Sequence, residues 1–152
     1  TLIRSYRQTQ SLNATRVLDK VFQGNYSYKR SISSPLVSFY GTACFTGTSQ
    51  KTYTEKGCYI LGGKEQTCYQ KRFFVAEASR LTIYKSDYAI LHEFALNNFS
   101  VFPFQLTHKH YCGNDHYSLI LIVNSPDSFS MSYVIKGPFK DYTIDTIFDR
   151  LT

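Results

Sequence analysis

His110, Cys112 and Asp115 fall within one six-residue span. A thiolate can attack an electrophile, an imidazole can take up or return its proton, and a carboxylate can hold that imidazole in one orientation. His92 is a further acid–base candidate. Spacing argues against a ready-made triad, because residues at i and i+2 of a strand stand side by side rather than facing each other. No GxSxG, Walker, GxGxxG or HExxH pattern occurs in the chain. An enzyme using the set His110, Cys112, Asp115 and His92 is therefore an alternative reading, not the leading one.

A second group of residues points to binding. Alternation places Arg30 on a face with Phe22, Tyr26, Tyr28 and Ile32, and Glu55 on a face with Tyr53, Tyr59 and Leu61. His92 goes with Ile90 and Phe94, while His108, His110 and Cys112 share a face. Buried charges must be paired or solvated, or folding loses on the order of several kcal/mol. An Arg30–Glu55 pair is the simplest solution, and the same residues could line a wet cavity. The predicted ligand contacts are Arg30, His92, His110 and Tyr117, with Glu55 and Asp115 orienting them. The ligand expected is small and polar or anionic. Asp115 beside a turn Asn also reads as an Asx-turn residue. Arg150 shares a face with Ile144 and Phe148, and against Tyr26 it would close the base of the fold by a cation–π contact of ~1 kcal/mol.

Metal and redox signals are weak. Cys44, Cys58, Cys68 and Cys112 lack tight CxxC pairs, so no metal is assigned. His92 with His108 or His110 and Cys112 would make three ligands only if the strands met. The four cysteines read first as buried free thiols, although an even count also permits two disulfides. The sequence names no cofactor.

These residues need a frame. The chain of 152 residues carries 13 Tyr and 12 Phe and no Trp, a composition that leans towards strands. Residues 11–22 form the one helix candidate, with Ser11 as its cap and Gly24 as its stop. It is expected to plug one end of the fold, after a loose polar segment over residues 1–10. Ten alternating runs follow with short connections, from Phe22 through Arg150. Gly41 is expected to mark a bulge or bend, and Gly62-Gly63 a hairpin turn.

Such a meander pairs its neighbours antiparallel. The fold class is all-β, a closed antiparallel up-and-down barrel with a short N-terminal helix; a two-sheet sandwich is the runner-up. The division is residues 1–21 as an N-terminal segment and 22–152 as the barrel. The net charge of +6 comes from scattered residues rather than a stripe, which argues against nucleic acid. No apolar run reaches the ~18 residues of a spanning helix. A protein partner on a basic surface, with a filled interior, is the third reading. Polar N-terminal residues and unpaired-looking cysteines favour an intracellular protein, with secretion or delivery into another cell left open.

Gly24-Asn25-Tyr26 with a late Arg150 resembles the Gly-x-Trp and closing Arg of lipocalin-like, or calycin, barrels, with Tyr26 replacing Trp. The fuller ordered set is Phe22, Gly24, Tyr26 and Arg30, then Tyr53, Glu55 and Gly57, then Asp87 and His92. His110, Cys112, Asp115 and Tyr117 follow, and Gly137, Pro138, Lys140, Asp141, Tyr142 and Arg150 complete it. That order is similar to the pattern of the uncharacterised domain-of-unknown-function family 6314, over about residues 22–150. Leu91 stands where that pattern has Phe before His92. The resemblance implies a calycin-like barrel and no established activity.

Overall fold

A computed structural model describes residues 15–77, 79–97 and 101–152. The predicted helix start at Ser11, the loose segment over residues 1–10 and most of the connection over residues 97–100 lie outside the described residues. Residues 15–21 form a helix, α1. Its Leu18 and Val21, with Phe22 just beyond, are fully buried against the barrel end. This contact is what makes so short a helix stable, since a few turns are marginal in water by themselves.

Ten strands follow: β1 (Gly24–Ser33), β2 (Leu36–Thr46), β3 (Gln50–Leu61), β4 (Lys64–Glu77), β5 (Arg80–Lys85), β6 (Ile90–Ala95), β7 (Phe104–Cys112), β8 (Asp115–Ser125), β9 (Ser128–Lys136) and β10 (Asp141–Arg150). They form one antiparallel sheet in the order β6-β5-β4-β3-β2-β1-β10-β9-β8-β7. The first and last strands pair, Tyr26 with Arg150 through Ile32 with Ile144, and curl the meander into a barrel.

The antiparallel up-and-down barrel expected from the sequence is what the chain forms, nearly closed, with one break in the ladder. β6 and β7 end the strand order and share no backbone ladder. β5 and β6 span only six residues each, against 14 in β4 and nine in β7. The wall is therefore lowest at this seam, and side chains rather than backbone bridge it.

Local chemistry explains the turns. Gly62 and Gly63 both take positive φ, 59° and 75°, as a two-residue hairpin of the I′ kind requires. Gly41 forms no bulge, contrary to expectation: it pairs in register with Tyr28 and Gly57. The irregularities lie instead at Ile83/Tyr84 and Val123/Ser125.

The interior divides into two halves. Next to α1 it is packed with rings: Phe22, Phe45, Phe74 and Phe129 lie edge-on or tilted at centroid distances of 4.9–6.2 Å, and Phe129 stacks on Phe148 at 4.4 Å. Arg150 ties this end together. Its guanidinium lies 4.7 Å from the Tyr26 ring centroid. It donates to the Tyr26 hydroxyl at 2.8 Å, to Asp127 at 2.8 Å, to the Lys20 and Pro126 carbonyls at 2.9 Å, and to the Gln23 carbonyl. The carbonyls at the end of α1, which a helix leaves without partners, thus meet a cation. Burial pushes the Tyr26 hydroxyl up to about 12, so it donates, to the Val21 carbonyl at 2.5 Å.

Candidate functional site

The other half of the interior is lined by polar side chains. Alternation turns Arg30 on β1, Glu55 on β3, His92 on β6, His108 on β7 and Tyr133 on β9 inward. Arg30 and Glu55 form a two-pronged ion pair, with Nη1 to Oε2 at 2.8 Å and Nη2 to Oε1 at 2.9 Å. Arg30 Nε also donates to Thr146 Oγ1 at 2.8 Å, and the Tyr53 hydroxyl donates to Glu55 Oε1 at 2.7 Å. Burial alone would raise the Glu55 carboxyl, but Arg30 by hydrogen bond and charge, aided by Tyr53 and Tyr28, holds it below the usual range. Glu55 is 2% exposed, so this pairing is what permits a charge there.

Tyr28 supports the pair from the side. Its ring lies under the Arg30 guanidinium, 4.9 Å from the centroid, and its hydroxyl reaches Cys68 Sγ at 3.9 Å. To get there the ring crosses Gly41 and Gly57, its partners in one cross-strand row. A Cβ on Gly57 would lie 2.0 Å from the Tyr28 hydroxyl. The glycine in the Tyr53-Thr54-Glu55-Lys56-Gly57 stretch is therefore set by a side chain from another strand.

The second cluster bridges the seam. His92 Nδ1 lies 3.2 Å from His108 Nδ1, and His92 Nε2 lies 2.6 Å from the Tyr133 hydroxyl. Burial first, then the nearby His108, His110 and Arg72, push His92 down to about 3, so it is neutral at physiological pH. Burial pushes the Tyr133 phenol up to about 12, against the pull of the Arg72 and Arg30 charges. A neutral imidazole has one donor and one acceptor. The chain Tyr133–His92–His108 can therefore pass a proton in either direction without forming a charge on His92.

The candidate residues divide sharply. Arg30 and Glu55 come together, and His92 joins His108. His110 is exposed on the upper part of β7, with its ring 6.0 Å from that of Tyr117. Tyr117 is half-buried, and its hydroxyl accepts from Lys140 Nζ at 3.0 Å. Asp115 is engaged by Lys140 at 3.3 Å, in place of an Asx-turn role. Cys112 is exposed at the hairpin end, and among the described residues no hydrogen bond reaches its sulfur. His110, Cys112 and Asp115 are thus neighbours in sequence that do not assemble, because Cys112 is exposed at the hairpin end and Asp115 pairs with Lys140. Among the described residues no group of three His, Cys, Asp or Glu side chains could hold a metal. Cys44, Cys58 and Cys68 are half-buried free thiols, not buried ones as expected.

Three inward residues were not singled out from the sequence: Tyr133, Thr146 and Arg72. The signal was present for each. Tyr133 alternates with Phe129 and Met131, Thr146 with Ile144 and Phe148, and Arg72 with Phe74. Two concave spaces lie elsewhere. One of about 150 Å³ sits beneath α1, where Lys51 pairs with Asp19 at 3.0 Å. The other is an outer groove along β2, β3 and β4 that includes Tyr40, Lys56 and Tyr69. Neither reaches the Arg30 or His92 clusters.

A near-closed, antiparallel, lipocalin-like barrel with one packed half and one polar half is thus the class of protein that fold and site define. The chain belongs to the family of unknown function DUF6314, whose model matches residues 22–150. No curated protein matches it in sequence. Among solved structures it is similar to the S-type phycobiliprotein lyase CPES from Guillardia theta. That likeness has a TM-score of 0.64 at 8% identity and covers 97% of this chain and 98% of the other. It is also similar to EF1p2_mFAP2b bound to DFHBI, with a TM-score of 0.52 at 11% identity, covering 91% and 99%. At these identities the likeness is one of fold. Among the described residues no helix is long and apolar enough to cross a membrane.

Proposed function

We propose that the polar half of the barrel binds a small polar or anionic ligand. One observation carries this reading: within a single barrel, inward positions near α1 are filled by packed rings, whereas those at the other end hold Arg30, Glu55, His92, His108 and Tyr133. Filling that space with apolar side chains would cost less than burying and satisfying these groups. A binding site, concave and apolar with a few convergent polar groups, accounts for them. The solved structure of EF1p2_mFAP2b was obtained with DFHBI bound, so a barrel of this shape has room for a small molecule.

In this reading Arg30, His92, His110 and Tyr117 contact the ligand, and Glu55 and Asp115 orient them. Glu55 fixes the Arg30 fork, leaving two guanidinium N–H groups unassigned. Native mass spectrometry against the denatured mass tests the proposal. The expected result is an additional mass, retained in the folded protein and lost on denaturation, that Arg30→Ala and His110→Ala each reduce. Unchanged retention in both variants would refute the assignment of those residues.

A further inference from the structure

Among the described residues, Arg72 is an inward-facing cation without an anion. It is half-buried on β4, between Lys71, which is exposed, and Phe73, whose ring is covered by Tyr88, and it alternates with the buried core residue Phe74. Its row neighbours are Tyr53 on β3 and Lys85 on β5. Its one hydrogen bond goes to the carbonyl of the adjacent Lys71, at 3.0 Å. Among the described residues no carboxylate pairs with it, and residues 1–14, 78 and 98–100 contain no Asp or Glu. Glu55 is held by Arg30 and Glu93 by Arg80, and Asp87, in the turn after Lys85, accepts the Ala89 N–H. Arg72 nevertheless acts on the interior, since its charge lowers His92 and Tyr133 alike.

Its position matters as much as its charge. Arg72 stands one interior row above Phe74, whose row continues through Ile83 to His92. That row ends at the seam, where the wall is low and His108 and His110 face it from β7. Arg72, whose charge reaches His92 and Tyr133, and His108 across from His92 thus bring a guanidinium without a carboxylate, two imidazoles and a phenol to the side of the barrel where β6 and β7 share no ladder. Their sum is positive and rich in N–H donors. A cation would be repelled, and an apolar group would strip water from Arg72 without replacing it. A planar oxyanion can instead take the guanidinium fork with two parallel bonds, and an imidazole N–H of His108 can supply a third.

The geometry points to an oxyanion site at the β6–β7 seam, with Arg72 as the anchor and His108 as the second donor, taking a small molecule that carries a carboxylate or phosphate group. The inference rests on the binding function proposed above and names its ligand class. Size follows from the fold: the ring-packed half closes the floor, so only a small molecule enters from the seam.

The test is titration of the whole protein with inorganic phosphate and, separately, succinate, followed by the imidazole proton resonances of its four histidines. Saturable shifts are expected at His108 with at least one of the two anions, and an upward move of its titration midpoint, since a nearby anion favours the imidazolium. The exposed His116 serves as the internal reference and stays in place. Arg72→Gln weakens the binding about 10- to 100-fold, the range of a lost hydrogen bond to a charged group. Arg72→Lys, which keeps the charge and guards against misfolding as the explanation, recovers most of it. Lys71→Gln, removing the neighbouring outward charge, leaves it unchanged. Equal binding by Arg72→Gln and wild type overturns the anchor while leaving a ligand-binding barrel intact. Equal weakening by Lys71→Gln overturns it too, by reducing the effect to surface charge. No shift at any interior histidine, together with no retained mass in native mass spectrometry, overturns the site and the binding function together.

Discussion

Around Phe129 the barrel interior is ring against ring; around Arg30, further along the same strands, it is charge against charge. Phe129 meets Phe22, Tyr26, Phe45 and Phe148 and is fully buried. Arg30 meets Glu55, Thr146 and the face of Tyr28. Both halves satisfy their contents, and among the described residues no buried side-chain polar atom lacks a partner. They differ in what satisfaction requires. Apolar rings need shape and volume, so they tolerate changes in angle. A guanidinium–carboxylate pair needs fixed atoms at fixed distances, and in return it presents donors to whatever enters beside it. Stability is concentrated in the first half and chemistry in the second.

Several substitutions can break or sharpen that contrast. Phe129→Ala removes the ring at the centre of the packed half and is expected to cost ~3–5 kcal/mol in urea unfolding, by transfer and cavity terms together. A cost below ~1 kcal/mol would mean that the rings are not a continuous core. Glu55→Ala strands the Arg30 charge and is expected to cost about as much, ~3–5 kcal/mol. The two halves should separate in the double change Arg30→Leu with Glu55→Leu. It regains most of the stability while ligand retention disappears, because the pair's net contribution to folding is small.

Acid should also distinguish them. His92 in the folded protein lies at about 3 rather than 6.5. Between those values the unfolded chain binds a proton that the folded protein does not, so stability falls as pH drops, by about 1.4 kcal/mol per pH unit for this group. Glu55, held below its ordinary range, acts in the same direction at lower pH. Its contribution is present above the ordinary carboxylate range and is lost as pH falls through the folded value. His92→Gln should flatten the upper part of the curve of unfolding free energy against pH. An unchanged slope would place the acid sensitivity outside the seam.

Smaller effects follow at the edge of the polar half. Tyr133→Phe removes one hydrogen bond to His92 and should cost ~1 kcal/mol, while shifting the His108 titration. Cys112→Ser, at an exposed hairpin end, should stay within about 0.5 kcal/mol by thermal unfolding. A large loss there would show that the hairpin packs on something the barrel wall does not supply.

Much of this architecture is legible from residue order. Ten alternating runs, the Gly62-Gly63 turn and the short connections specify an antiparallel meander, because side-chain period and turn chemistry are local properties. The Arg30–Glu55 pair follows from the same period, since two opposite charges on two buried faces have few other solutions. The seam was not legible. Whether β6 and β7 form a ladder depends on strand lengths and stagger around the whole barrel, a closure condition that no single run contains. The same holds for Gly57, whose reason is a tyrosine from β1, and for Gly41, where a Cβ would meet the β3 backbone at Lys56 and Gly57.

The reactive-looking span His110 to Asp115 shows the limit from the other side. Proximity in sequence put an imidazole, a thiol and a carboxylate together, and the fold then left His110 exposed beside Tyr117, Cys112 exposed at the strand end and Asp115 paired with Lys140. The sequence by itself determined which face each residue occupies, and hence that an arginine, a glutamate and a histidine would be buried among aromatic rings. Only the tertiary structure decided their partners: Tyr133 for His92, Thr146 for Arg30, and no carboxylate for Arg72. The physical reason is range. Alternation acts between adjacent residues of one strand, whereas pairing of buried charges is set by barrel curvature and stagger, which bring together strands far apart in the chain.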